Sequence, residues 1–206
     1  MMRRHMVEFM KLVSQHLPFR EPIYELGSRA ASESQNKLSD LRVYFPGRKY
    51  IGIDMQEGPG VERVMDMSKL NLPDGCAGMV ISMDTLEHCE YVREAVREMF
   101  RITGPGGICL IVSVMNYQIH NHPYDYWRFT PEAFRSMLKD FDSRVAFGVG
   151  NRKFPHTVIG IGYKAPKLTS QKFFKNFMVD VAVWAKKQHE VRRNSGVIDE
   201  SPATSH

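Results

Sequence analysis

Apolar positions recur along this chain in two alternating rhythms, one of helical and one of strand spacing. Met6, Phe9, Met10, Val13 and Leu17 predict an amphipathic helix over residues 4–17, ended by Pro18. A short apolar strand is predicted over 23–26. Ser32 and Gln35 then have the spacing of a capping box, and Leu38, Leu41 and Phe45 line one face of a helix stopped by Pro46-Gly47. Residues 50–53 read as a second strand, Gly58-Pro59-Gly60 as a turn, and 61–65 as a short third strand ending at Asp66. After the turn at Pro73-Asp74-Gly75 comes a buried strand over 78–82, then a helix face made by Val92, Ala95, Val96 and Met99. Gly104-Pro105-Gly106-Gly107 breaks that helix and launches 108–114, a run continuous enough for a central strand buried on both faces. Thr130-Pro131 starts a further helix with Phe134, Met137, Leu138 and Phe141 on its apolar face. Residues 144–149 and 157–163 are predicted to pair as a hairpin.

Strands alternating with helices as far as Phe141 predict an α/β fold: a Rossmann-like, doubly wound, mostly parallel sheet with helices on both faces and a terminal antiparallel hairpin. The expected organisation is a helical appendage over 1–19, a main domain over 20–165, a basic amphipathic helix over 166–193 and a disordered tail over 194–206. Phe173, Phe174, Phe177, Met178, Val181 and Trp184 form the apolar face of that late helix, expected to pack on the domain or on a second subunit.

Composition narrows the class. A chain of 206 residues with 43% hydrophobic content suits one domain with appendages. No apolar run approaches a membrane span, and Glu8 and Lys11 interrupt what would have to be a signal segment, so a cytoplasmic protein is expected. Cys76, Cys89 and Cys109 lack metal spacing and read as reduced thiols. The net charge of +5 is uneven, because residues 164–193 hold eight Lys/Arg against Asp180 and Glu190. The positive field thus belongs to a terminal helix and not to the sheet's ligand-binding edge, which argues against a DNA enzyme.

The chemistry concentrates at strand ends. The first strand carries Glu25, with Gly27 two residues later, and the second ends in Asp54. A tight turn after one strand and a carboxylate after the next is how a parallel sheet holds a nucleoside. Beyond the fourth strand stand Glu87 and His88, candidates for acid/base work; the pair is one ligand short of a metal site, so no metal is expected. Beyond the fifth, His120, His122, Tyr124, Asp125, Tyr126 and Trp127 crowd one loop on the ligand-binding edge. His120, His122 and Asp125 are expected to face the site, and Trp127 and Phe129 to anchor the loop.

Taken together these motifs resemble class I S-adenosylmethionine-dependent methyltransferases, over roughly residues 22–141. Glu25-Leu26-Gly27 resembles the first motif of that family, 50–54 the second, and Val64-Met65-Asp66-Met67 the adenine-side motif. Residues 78–88, ending Leu86-Glu87-His88, resemble the strand-four segment of its small-molecule branch. Residues 120–130, with His-x-x-Pro-x-Asp-Tyr-Trp-Arg-Phe-Thr, resemble a subset met beside cell-surface sugar and natural-product pathways. The resemblance implies S-adenosyl-L-methionine as cofactor, held by Glu25, Gly27, Ser28, Asp54, Met55, Asp66, Met67, Ser82 and Met83. In it Asp54 takes the ribose hydroxyls, Asp66 the adenine amino group, and Ser82 and Met83 line the methionine moiety. His88, His122 and Asp125 are the implied catalytic residues, and a small-molecule or saccharide hydroxyl the implied acceptor, with a homodimer through the late helix as a further expectation. The chain departs from the first motif in having Gly27-Ser28-Arg29-Ala30-Ala31 where Gly-x-Gly-x-Gly is usual. Close approach to a pyrophosphate needs the later glycines, so the departure disfavours a dinucleotide. The readings from other classes are a nucleoside-binding scaffold without turnover and an enzyme for RNA or protein.

Overall fold

The first predicted helix forms as α1, Arg4–His16, and the strand after it as β1, Ile23–Leu26. The structure, a computed structural model, describes residues 4–17, 19–30, 40–120, 123–165 and 172–194. Most of the helix expected after β1 lies outside those residues; its described end is a 3-10 turn, Leu41–Tyr44, capped by Asp40. Then come β2, Tyr50–Asp54, and β3, Arg63–Val64, shorter than expected because Glu62 turns back on Gly52 and Arg42 instead of extending the edge. The chain continues through β4, Ala77–Met83, a 3-10 turn at Leu86–His88, and α2, Val92–Ile102. It ends with β5 (Thr103–Val114), α3 (Pro131–Met137), β6 (Ser143–Gly150), β7 (Pro155–Tyr163) and α4 (Lys172–Asn194).

The seven strands make one sheet in the order β3-β2-β1-β4-β5-β7-β6. The first five run parallel, and β7 is antiparallel to both β5 and β6. The expected Rossmann-like sheet with a terminal hairpin is therefore the fold. One boundary differs. Thr103 already pairs with Ala77, so β5 begins before the Gly104–Gly107 turn, which loops out as the register shifts between Ala77 and Met79.

Alternation along the strands sorts the core into two layers. Ile23, Met79, Ile81, Ile108, Leu110 and Val112 face α1 and α4, with Met6, Phe9, Met10, Val13, Phe177, Val181 and Trp184 packed on them. Tyr24, Leu26, Val80, Cys109 and Ile111 face the other way, onto α2 and α3. Helices α1 and α4 also meet each other: the rings of Phe9 and Trp184 are 5.1 Å apart, and His16 lies 3.3 Å from Asp180. The late helix thus packs on the domain through Phe177, Val181 and Trp184; the side chains of Phe173 and Phe174 and the tail beyond Asn194 lie outside what is described. Among the described residues no helix is long and apolar enough to cross a membrane. The three cysteines are unpaired.

Arg101 is the clasp on the α2 side. Its guanidinium donates to Glu98, to Asp74 and to the carbonyls of Leu70 and Leu72, tying the connection before β4 to the end of α2. Arg101→Ala strands these acceptors, and a loss of about 2 kcal/mol is expected, the scale of one or two charged hydrogen bonds. Urea denaturation should show the midpoint falling with little change in slope; an unchanged midpoint would remove Arg101 from the clasp.

Candidate active site

Open parallel sheets bind ligands beyond the carboxyl ends of their strands, and here the loops after β1, β2, β4 and β5 converge at that edge. After β1 the backbone turns through Gly27, at φ +87°, and the amides of Gly27 and Ser28 both donate to the Ile53 carbonyl. A side chain at Gly27 would collide with Thr85, whose hydroxyl oxygen lies 2.1 Å from where a Cβ would stand. The absent side chain is what lets the β1 and β4 loops touch.

Asp54 closes β2. One carboxylate oxygen accepts from the Arg29 amide at 3.2 Å and the other from the Gln56 amide at 3.1 Å. An ionised carboxylate has about four acceptor positions, so this one is oriented by the backbone and can still take a pair of hydroxyls. Glu25 lies lower, inside the sheet, where it accepts from the Tyr50 hydroxyl at 2.8 Å. Burial pushes its carboxyl up to about 7, against the lowering effect of Tyr50 and Arg42. The hydroxyls of Ser28 and Ser82 are buried without a hydrogen-bond partner. Unpartnered hydroxyls on the β1 loop and on β4, with an oriented carboxylate at the end of β2, fit a polar nucleoside ligand.

The other expected cofactor residues sit differently. Ser82 and Met83 point to opposite faces of the sheet, Met83 toward the α1 side. Met55 is 66% exposed, and Met67 is buried in the core on the α2 side. Asp66 spends one oxygen on a local turn, accepting from the amide and hydroxyl of Ser68.

On the far side of the Gly27–Thr85 contact, the loops after β4 and β5 are stitched together. The amides of Tyr126 and Trp127 donate to the Glu87 carbonyl at 2.8 and 3.2 Å, and the Trp127 indole N–H donates to the Cys89 carbonyl at 2.8 Å. Trp127 does anchor the loop, although it remains 41% exposed, while Phe129 is buried against Phe134. Arg128 fastens the β5 loop from within, donating to Asp125 with both terminal nitrogens and to the carbonyls of Tyr117 and Gln118.

That stitching assembles a cluster. His88 and His120 have ring centroids 4.8 Å apart, and His120 Nε2 is 3.9 Å from Glu87 Oε1. His88 Nδ1 lies 2.5 Å from the Tyr124 carbonyl, so that nitrogen carries the proton and Nε2 the basic lone pair. Glu87 is fully buried; its Oε2 accepts from the Ser113 hydroxyl at 2.6 Å, and its Oε1 has no hydrogen-bond partner. Burial, reinforced by Asp84, raises its carboxyl to about 7.

Asp125 is brought beside this cluster, but it is committed. Its side chain is buried, it is paired with Arg128, and it accepts from the His120 amide at 2.7 Å. Arg128 above all holds it well below the usual carboxylate range, which suits an orienting anion and not a proton acceptor. His122 lies outside the described residues. Two residues of the site were not singled out from the sequence: Ser113, whose signal is a lone hydroxyl at the end of an otherwise apolar strand, and Arg128, whose signal is an arginine three residues after Asp125 in a loop.

Known proteins share this fold. The methyltransferase domain family matches residues 39–111, which run from the end of the β1 loop through most of β5. No curated protein sequence matches the chain. Among solved structures, a SAM dependent methyltransferase from Archaeoglobus fulgidus superposes with a TM-score of 0.58 at 14% identity, over 77% of this chain and 92% of that one. One from Aquifex aeolicus gives 0.51 at 15% identity, over 77% and 89%. The trans-methyltransferase CalH, in complex with SAH, gives 0.57 at 15% identity, over 76% of this chain and 55% of that one. The chain has a Rossmann-like fold shared with these methyltransferases, and over residues 39–111 it is similar to the methyltransferase domain family.

Proposed function

We propose that the protein is an S-adenosylmethionine-dependent methyltransferase that methylates a hydroxyl oxygen of a small-molecule or sugar-type acceptor. The observation that carries this reading is the layout of the sheet's carboxyl edge. An oriented carboxylate closes β2, unpartnered hydroxyls are buried at Ser28 after β1 and Ser82 on β4, and a histidine-carboxylate cluster stands between the loops after β4 and β5. The bound cofactor supplies a methyl group already activated as a sulfonium. Catalysis is then chiefly positioning and exclusion of water, with a base needed only to take the acceptor's proton.

The contacts support the following roles. Asp54 holds the ribose diol. Gly27 and Ser28 let the backbone approach, and Ser82 offers a hydroxyl from β4. His88 is the base and acts through Nε2, because Nδ1 is turned onto the Tyr124 carbonyl. Asp125 and Arg128 position the β5 loop. The exposed rings of Tyr117, Tyr124 and Tyr126 border the acceptor's approach, a surface suited to the apolar face of a sugar or small ring.

Asp54→Ala should weaken S-adenosylmethionine binding by about 1.5–3 kcal/mol, the range for hydrogen bonds to a charged group, with thermal stability unchanged. Calorimetric affinity equal to wild type would take Asp54 out of the site. The acceptor is identified by incubating the protein with radiolabelled cofactor and fractionated cell extract. Label in the small-molecule or saccharide pool supports the proposal. Label in RNA or protein, or cofactor binding with no transfer to any fraction, overturns it.

A further inference from the structure

We propose that Glu87, His88 and His120 form a binding site for a divalent transition-metal ion. One donor atom from each lies within 4.8 Å of the others. A tetrahedral set built on bonds of about 2.1 Å places its donors about 3.4 Å apart, so the cluster needs only small side-chain rotations to close on an ion. The sequence pair Glu87-His88 is one ligand short; the fold supplies the third from a loop more than thirty residues away, after β5.

Three features separate this cluster from a chance meeting of side chains. The first is Glu87 Oε1, a carboxylate oxygen on a side chain with 0% exposure and no hydrogen-bond partner. His120 Nε2 is 3.9 Å from it, beyond hydrogen-bond reach. Arg128, the guanidinium close by, is spent on Asp125. A cation between that oxygen and the imidazole would satisfy it in place of the proton that burial otherwise favours.

The second feature is the outer layer. Metal-bound histidines hold the second ring nitrogen on a carbonyl or carboxylate, and bound carboxylates are themselves hydrogen-bonded. Here His88 Nδ1 meets the Tyr124 carbonyl, His120 Nδ1 meets Asp125 Oδ2 at 3.2 Å and the Gln118 carbonyl at 3.2 Å, and Glu87 Oε2 meets Ser113. All three side chains are steered by their outer atoms. The third is donor chemistry: two imidazoles and one carboxylate suit zinc, iron, manganese or cobalt, whereas magnesium and calcium favour oxygen alone.

The use of the ion rests on the methyltransferase reading above. Three protein ligands leave coordination positions for the acceptor's hydroxyl, whose acidity the ion raises. With its Nε2 on the ion, His88 acts as a ligand in place of its role as base, and the hydroxyl, made more acidic by the ion, gives its proton to solvent. The oxygen–methyl bond then forms as the carbon–sulfur bond breaks, its electron pair staying on sulfur.

The test uses the full chain, stripped with chelator and titrated with Co2+ under visible absorption, and with Zn2+ in a calorimeter. We expect one ion per chain with ligand-field bands, and at least a hundredfold loss of affinity in His120→Ala and in Glu87→Gln. Asp125→Asn, which loosens only the outer layer, should cost about tenfold. Cofactor binding and circular dichroism, measured on the same samples, should be unchanged and show that the variants are folded. Absence of cobalt bands at millimolar metal, or equal affinity in wild type and His120→Ala, overturns the site. Should Glu87→Gln fail to fold, His120→Ala still decides. Metal binding without methyl transfer would overturn the functional reading and leave the site standing; transfer undiminished in chelator, with no metal bound, would do the reverse.

Discussion

Gly27→Ala is expected to abolish measurable cofactor binding and to cost about 3–5 kcal/mol of stability. Part of the cost is backbone: at φ +87° a side chain is strained by about 1–2 kcal/mol whatever surrounds it. The larger part is steric. The new methyl would stand 2.1 Å from Thr85 Oγ1, 2.2 Å from its Cγ2 and 2.6 Å from its Cβ. Thr85 cannot yield cheaply, because its hydroxyl donates to the Met83 carbonyl and it opens the turn that carries Glu87 and His88. The displacement is therefore passed along to the histidine cluster, and the variant should lose both halves of the site together. Thr85→Ala in the same chain removes two of the three clashing atoms and leaves the Cβ at 2.6 Å, so it should restore part of the stability and not all. Thermal unfolding and calorimetry on the single and double variants measure this. A Gly27→Ala protein with wild-type melting temperature and affinity would show that the two loops separate freely.

How much of this was legible in the sequence depends on the distance over which each feature is encoded. The strands were readable because each is a local event: residues 108–112 are apolar without interruption, as burial on both faces demands. Asp54 and Gly27 were readable for the same reason, being strand-end residues whose neighbours on the chain fix their setting. The β5 loop was not. Asp125 reads as a proton-active acid until Arg128 is seen folded back on it, and an ion pair inside a loop leaves no periodicity to detect. His120 reads from the sequence, with His122, as a loop histidine facing the site, but not as a neighbour of Glu87. Its partnership with Glu87 exists only because Tyr126 and Trp127 hydrogen-bond to the Glu87 carbonyl, a contact between backbone atoms that no side-chain pattern announces. Asp66 shows the converse. Its local use, capping the turn at Ser68, could be read directly from the residue two places on.

Glu25 yields the second large effect, through pH. Its carboxyl is raised to about 7, first by burial, with Asp40 and Glu62 adding to the shift and Tyr50 and Arg42 opposing it. Between its ordinary value of 4.5 and about 7 the folded protein holds a proton that the unfolded chain has released. Stability from this group is therefore complete below pH 4.5 and falls as pH rises toward 7, because ionising Glu25 in place must be done against its burial. At about 1.4 kcal/mol per pH unit the loss amounts to about 3 kcal/mol. Glu25→Gln keeps an acceptor for the Tyr50 hydroxyl and cannot ionise, so it should be more stable than wild type by about 3 kcal/mol at pH 8 and nearly equal to it at pH 4.5. Urea denaturation of both proteins across that range isolates Glu25 from Glu87, since Glu87 titrates in both. The cofactor adds a second readout. A sulfonium near Glu25 favours its ionised form, so binding at pH 6 should expel a proton, seen as an enthalpy that depends on the buffer and is absent in Glu25→Gln. Parallel stability curves for the two proteins would mean that water reaches Glu25 in the sheet, and a buffer-independent enthalpy would place the cofactor's cationic end elsewhere.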